Sequence, residues 1–340
     1  MNAATPRDHR TPATARQHAG VKPHERTLPL RVGTRGSPLA RLQTRLFLQQ
    51  LTTQCPALGK GETIEEHVIR TTGDAVQDRR LAEIGGKGLF AKEIHEALLD
   101  HRIDCAVHSL KDLETELPAG VMLACTLTRE DARDALILGA DCADIDPAAA
   151  FACLPAGALV GTASVRRQAQ LLHARQDLRV APIRGNVQTR LGKLAAGDYA
   201  ASLLALAGLR RLGLEDRASV VLDPDAMLPA AGQGIIGITT RADDADLPEL
   251  LTAIEDAEAR AVSTAERAML AALDGSCRTP IAGHARLLAN GQLHLTGMVA
   301  RADGSFLLKR SLHGTAEDAG RIGAELGASL RADSPRDIFG

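Results

Sequence analysis

The sequence has no tryptophan and one tyrosine, and aromatic side chains make up only 2% of it. Single-strand binders stack bases on aromatic faces, and duplex binders need a broad surplus of positive charge. A net charge of −2 supplies no such surplus, so no nucleic-acid partner is expected. Lysine is also scarce: it accounts for seven of the 40 basic residues, and the rest are arginine. The guanidinium group is a planar fork of five donors suited to carboxylates, so the basic residues read as local tools for holding acids. The six cysteines (Cys55, Cys105, Cys125, Cys142, Cys153 and Cys277) form no CxxC pair and no regular spacing. That pattern argues against a zinc site or a secreted disulfide framework and fits a reducing cytoplasm. No run approaches the roughly 20 apolar residues of a membrane helix. Residues 1–27, rich in Pro, Ala, Arg, Thr and His, lack the apolar stretch of a secretory signal and read as a disordered extension. The expectation is a soluble, cytoplasmic, monomeric protein with no membrane partner.

What is present is enough apolar residue, 45% of 340, to fill two or three cores. LPLRVG (28–33) reads as a strand, and Ser37-Pro38 supplies a cap and first-turn proline for a helix bearing Leu39, Leu42 and Leu46. The unit recurs at ALVGTASVRRQAQLL, where Ser164 can cap a helix with Val165, Ala169 and Leu172, and again at RVAPIRGNVQTRLGKL. Apolar runs at 105–110, 121–127 and 135–138 alternate with helical patterns, which predicts mixed, mainly parallel sheets in two α/β lobes with a cleft between them. After a helical stretch over 251–273 the character changes. Runs at 282–288, 292–299 and 305–312 are separated by Asn290-Gly291 and Asp303-Gly304, strong hairpin signals, and a helix is predicted over 316–330. The expected units are 28–127 with 235–252, then 133–228, then an α+β domain over 257–340 built on a three-stranded antiparallel sheet.

Charged pairs at strand exits mark sites, and CAVHSL (105–110) ends in Lys111 and Asp112. Arginines stand at similar exits: Arg35, Arg166, Arg167, Arg184 and Arg190. A surface arginine ordinarily just solvates a helix face, but five at strand-to-helix turns, where backbone N–H groups also seat anions, point to a polyanionic ligand. In that crowd Asp112 is the exception, suited to a ring N–H or a transient cation. Lys87 lies in GGKGLF, which lacks Walker spacing and could be a plain glycine turn. AGQGIIG (231–237) has the GxGxxG spacing but precedes a β-like run, so it lacks the context of a dinucleotide site. Cys277, in LDGSCRTP, sits in a turn where a thiol is accessible, and Arg278 beside it favours the thiolate. Composition alone leaves open that it is a spare surface thiol.

Taken in order, RGSPLA, GGKGLF, VHSLKD, REDARDAL, GTASVRRQ, RGNVQTRL, PAAGQG and ERAMLAALDGSCRTPI closely resemble the porphobilinogen deaminase family from about residue 30 to the C-terminal domain. The resemblance implies two lobes similar to periplasmic binding proteins and a third domain carrying a cofactor loop. It implies a dipyrromethane cofactor held by a thioether to Cys277, on which four porphobilinogen units are joined head to tail, with loss of ammonia, into a linear tetrapyrrole for porphyrin and haem synthesis. Asp112 matches the family's catalytic aspartate. Arg35, Arg166, Arg167, Arg184 and Arg190 match arginines that hold the acetate and propionate arms, with Ser37, Lys87, Lys111, Thr162, Ser164 and Gln233 as helpers. The chain departs from the family at Leu113-Glu114 after VHSLKD, at GSC for GGC, in PAAGQG, and at Glu83 where some members have lysine.

Two other readings use the same residues. A non-catalytic two-lobed protein for a small dicarboxylate would use the arginine seats but would have no task for a third domain or for Cys277. A cysteine hydrolase pairing Cys277 with one of the 11 histidines lacks any local signature.

Overall fold

The computed structural model describes residues 28–75, 88–139, 147–274 and 279–339. The first lobe contains β1 (Leu30–Arg35), α1 (Pro38–Gln54), β2 (Ile64–Ile69), α2 (Lys92–Leu99), β3 (Cys105–Ser109) and β4 (Val121–Thr126). A crossing segment, 127–133, leads to the second lobe. There lie β5 (Asp134–Leu138), β6 (Leu159–Gly161), α3 (Val165–Ala174), β7 (Arg179–Ala181), α4 (Val187–Ala195), β8 (Ala201–Ala205), α5 (Leu206–Arg211) and β9 (Val220–Val221). The chain then returns through 222–235 to add β10 (Ile236–Arg241) and α6 (Asp246–Leu251) to the first lobe. It ends with α7 (Ala257–Ala272), β11 (Ile281–Leu287), β12 (Leu293–Ala300), β13 (Leu307–Gly314) and α8 (Ala319–Ala332).

The two five-stranded sheets have matching orders, β2-β1-β3-β10-β4 and β7-β6-β8-β5-β9. The three strands laid down by helical crossovers run parallel in each, while β10 and β5 pair antiparallel with both neighbours. The sheets are therefore mixed in equal measure rather than mainly parallel. The reason is the connection: a parallel partner needs a long crossover, whereas β5 and β10 enter straight from the crossing segments.

Ser37 and Ser164 cap α1 and α3, their hydroxyls accepting the N–H of Ala40 at 3.2 Å and of Arg167 at 3.4 Å. The buried faces differ from the apolar stripe the sequence suggests. α1 buries Ala40, Gln43, Thr44, Phe47 and Leu51, while Leu39, Leu42 and Leu46 flank that face half-buried. α3 buries Arg166, Arg167, Ala169, Gln170 and Leu171. In both cases the helix meets another part of the molecule as well as its own sheet: α1 packs against α5 of the second lobe, and α3 against β12 and β13 of the C-terminal sheet.

The predicted 251–273 helix is broken at Glu255-Asp256, where the Asp256 carboxylate caps α7 through the Ala259 N–H at 2.8 Å. Beyond it, β11-β12-β13 form the expected antiparallel sheet, with α7 and α8 packed on one face. Their core joins Val262, Met269, Leu295, Ile322 and Leu326 to Leu110 and Leu113 of the first lobe, and also to Leu273 and Ile281. Among the described residues no helix is long and apolar enough to cross a membrane, and no cluster of His, Cys, Asp and Glu could hold a metal ion.

Candidate active site

β3 ends in a short turn, Leu110–Asp112, fixed from below by buried Leu110 and by the Leu110 N–H, which donates to the Ile235 carbonyl at 3.0 Å. The AGQG loop is what presses on this turn. Gly232 has φ +73°, and a Cβ there would lie 3.1 Å from the Lys111 nitrogen; at Gly234, φ +89°, it would lie 2.1 Å from the Glu130 carbonyl oxygen. These glycines let three backbone segments meet.

Asp112 stands at the mouth of the turn with its side chain 33% exposed. Its nearest cationic partner is Arg35 Nη1 at 3.7 Å, beyond hydrogen-bond reach, and no described residue donates a hydrogen bond to it. Arg35 is anchored on its other edge by Asp74, with Nε–Oδ2 at 3.1 Å and Nη2–Oδ1 at 2.5 Å, and its guanidinium lies 4.2 Å from the centre of the Phe90 ring. Burial works against the Arg35 charge, but Asp74 and Asp112 more than offset it and raise its pKa. Thr71 donates to Asp74 at 2.8 Å.

Across the cleft, Asp134 opens β5 and is fully buried. Arg167 donates to it from Nη2 at 2.7 Å and Nε at 3.2 Å, and Arg166 Nη1 lies 2.8 Å from its other oxygen. Burial alone would raise the Asp134 carboxyl; the two guanidiniums reverse that and hold it well below the usual carboxylate range. Both arginines are only 6% exposed, and they also donate to backbone, Arg166 to Leu228 O at 2.6 Å and Arg167 to Leu203 O at 2.7 Å. Gln233 links the lobes: its amide nitrogen donates to Asp134 at 2.9 Å and its oxygen accepts from Lys111 Nζ at 3.2 Å.

The remaining cations close the ring. Arg184 donates to the Gly73 carbonyl at 3.3 Å, bridging from the second lobe to the first, and Arg190 to Gly185 O at 3.0 Å. Burial, aided by repulsion from Arg167 and Arg184, lowers Arg190 to about 10, with Asp112 pulling the other way. Burial and then Arg167 bring Lys111 down to about 8. Six cations, Arg35, Lys111, Arg166, Arg167, Arg184 and Arg190, thus share the region with three carboxylates, Asp74, Asp112 and Asp134. Sequestered positive charge in that excess is a seat for an acidic ligand.

The five arginines, Lys111, Asp112 and Gln233 picked from the sequence do converge. Ser37, Ser164 and Thr162 stand at the turns but spend their oxygens locally, the first two as caps and Thr162 by accepting the Ser164 N–H at 3.2 Å. Lys87 and Cys277 lie outside the described residues, as does Glu83. The expectation that one acid stands alone among the arginines is corrected: Asp74 and Asp134 are there too, and what sets Asp112 apart is its lack of a hydrogen-bond donor. Asp134 carried the same signal as Asp112, a charge bordering an apolar run, but at the run's start. Asp74 and Phe90 left no such mark.

A second polar knot fixes the third domain. Glu266 on α7, fully buried, accepts from Arg129 at 2.7 Å, from the Gly232 N–H at 2.6 Å and from the Ala285 N–H at 2.7 Å. Arg129 also donates to Gln233 O at 2.9 Å. Both crossing segments are thereby tied to α7 and β11.

Residues 30–249 match the family model described as porphobilinogen deaminase, dipyromethane cofactor binding domain, and residues 261–332 match the porphobilinogen deaminase C-terminal domain. The chain is 48% identical to the porphobilinogen deaminase of Paracoccus denitrificans over 92% of its own length and 96% of that protein. It is 43% identical to the chloroplastic porphobilinogen deaminase of Oryza sativa subsp. japonica over 99% of its own length and 92% of that protein. Solved structures that align with it include a holo arginine-binding protein from T. maritima, 15% identical over 66% of this chain and 88% of that one, with a TM-score of 0.35. The family models together cover most of the sequence, and on that ground the chain belongs to the porphobilinogen deaminase family.

Proposed function

We propose that the chain is a hydroxymethylbilane synthase, a transferase that joins four porphobilinogen molecules head to tail with loss of ammonia, in tetrapyrrole synthesis. The observation that carries this reading is Asp112: a carboxylate held near Arg35 with no donor among the described residues, in a region with more cations than acids. Porphobilinogen brings an acetate, a propionate and a ring N–H, and the cations match the first two while the Asp112 acceptor matches the third.

Loss of ammonia leaves porphobilinogen as an electron-poor methylene-pyrrolenine, and positive charge spreads onto pyrrole nitrogen. Asp112 accepts that N–H and stabilises the charge by a dipole and charge set in place beforehand. Arg35 keeps Asp112 oriented, while Lys111, Arg184 and Arg190 take carboxylate arms. Each charge-assisted hydrogen bond contributes about 1.5–3 kcal/mol net. Arg166 and Arg167, buried on Asp134, act mainly through their field. A dipyrromethane suits the same residues, and joined to Cys277 by a thioether it would supply the priming pyrroles when bound.

In this reading the units are 28–127 with 235–252, 133–228 and 257–340, and the enzyme works as a soluble cytoplasmic monomer. Leu273 and Ile281, on either side of Cys277 in sequence, share a core with Leu110 and Leu113 beside Asp112, which favours a tether within reach. A dicarboxylate-binding protein has no use for that junction. The test is the intact mass of the purified protein, expected to exceed the sequence mass by a dipyrromethane and to lose the excess in Cys277→Ala. An unmodified chain that still yields tetrapyrrole would overturn the tether.

A further inference from the structure

The mechanism above leaves Asp134 without a task, yet this carboxylate is the most completely enclosed acid in the pocket. Its Oδ1 accepts from Arg167 and from the Gln233 amide nitrogen, and its Oδ2 faces Arg166. Gln233 also donates to the Ala132 carbonyl at 2.7 Å. With both amide hydrogens so committed, the amide oxygen can only point away, toward the Lys111 ammonium. The path therefore runs from an arginine pair on the second lobe, through one carboxylate and one amide, to the lysine next to Asp112 on the first.

We infer that Asp134 is a positioning residue: through Gln233 it locks Lys111 and the Arg166–Arg167 pair at one spacing, so the acid-holding groups of the two lobes are set together. The inference rests on the function proposed above. Three like charges, two of them buried, repel one another, and a single carboxylate between them is what lets them stand close. A buried ion cluster adds little net stability over apolar packing, so what this one contributes is geometry. Gln233, from the return crossing, hydrogen-bonds both Asp134 and Lys111, and it makes the coupling directional.

The experiment is a double-mutant cycle of Asp134→Asn and Lys111→Met, repeated in a Gln233→Leu background, with kcat and KM for porphobilinogen read separately and thermal unfolding as the control for folding. Coupling of about 10-fold in kcat/KM is expected with Gln233 in place, falling to about 2-fold without it. Additive losses, or equal coupling in both backgrounds, overturn the inference. Should Asp134→Asn fail to fold, the Gln233→Leu and Lys111→Met cycle decides alone, and additivity there is fatal.

A readout independent of turnover is the titration of Lys111 followed by NMR on isotope-labelled lysine. Gln233→Leu and Asp134→Asn should both move it to lower pH, since each removes a partner of the charged form. An unmoved titration overturns the inference even if the wild-type protein proves inert toward porphobilinogen, an outcome that would count against the function alone.

Discussion

The two lobes share a strand order and a capped strand-to-helix turn, but they treat their charges in opposite ways. In the first lobe Arg35 is 20% exposed at its side chain and divides itself between Asp74 and the open Asp112. In the second, Arg166 and Arg167 are buried on Asp134 and on two backbone carbonyls. The site that follows β3 ends in a charged pair, whereas its counterpart after β8 runs on into the apolar start of α5. One framework thus gives a reactive half and a holding half. A repeated fold fixes where side chains emerge, and the residue types at those exits decide what each half can do.

The contrast breaks most visibly under substitution. Arg167→Leu leaves Asp134 under-compensated in a dry interior and is expected to cost about 3–5 kcal/mol of stability. The companion Arg35→Leu, at a partly exposed pair, should cost only about 1 kcal/mol, and chemical denaturation of the two variants measures the gap. Equal losses would show that the lobes do not differ as described.

Asp112→Asn reverses the ranking. Folding should be unchanged while turnover falls about 10²–10³-fold, the loss typical when a preorganised stabilising group is removed. Turnover near the wild-type rate would take Asp112 out of the mechanism. Arg184→Leu should fold too but stall elongation, visible by native mass spectrometry as accumulated partial chains.

The smallest effect is one of pH. Lys111 is protonated below about 8 and neutral above, so affinity for a polycarboxylate should fall as pH rises through that value. Stability should move the other way. An unfolded lysine keeps its proton to about 10.4, so between the two values the unfolded chain holds more protons and folding becomes more favourable as pH rises. Lys111→Arg should carry the loss of affinity to higher pH.

Much of this was legible in the sequence. The turns at 37 and 164 and the two hairpins of the C-terminal three-stranded sheet are local signals, written in caps and Asn-Gly or Asp-Gly pairs, and they fall where expected. The arginines were legible because they recur at equivalent exits. The direction of β5 and β10 was not, because it depends on where a crossing strand enters a sheet. Nor was the burial of Arg166 and Arg167, whose partner Asp134 is more than 30 residues away in sequence. The break at Asp256 was missed because apolar periodicity continues through it, and only the capping carboxylate marks it.

The knot at Glu266 has a mechanical meaning. Two strands of chain pass between the lobes, and both are fastened to the same helix of the third domain at adjacent points. A joint with two pinned straps can swing about the line between the pins, but sliding and twisting would tear one strap loose. A swing of the second lobe against the first would part Arg184 from Gly73, while the third domain, whose core takes in Leu110 and Leu113, stays with the first lobe and carries both pins with it.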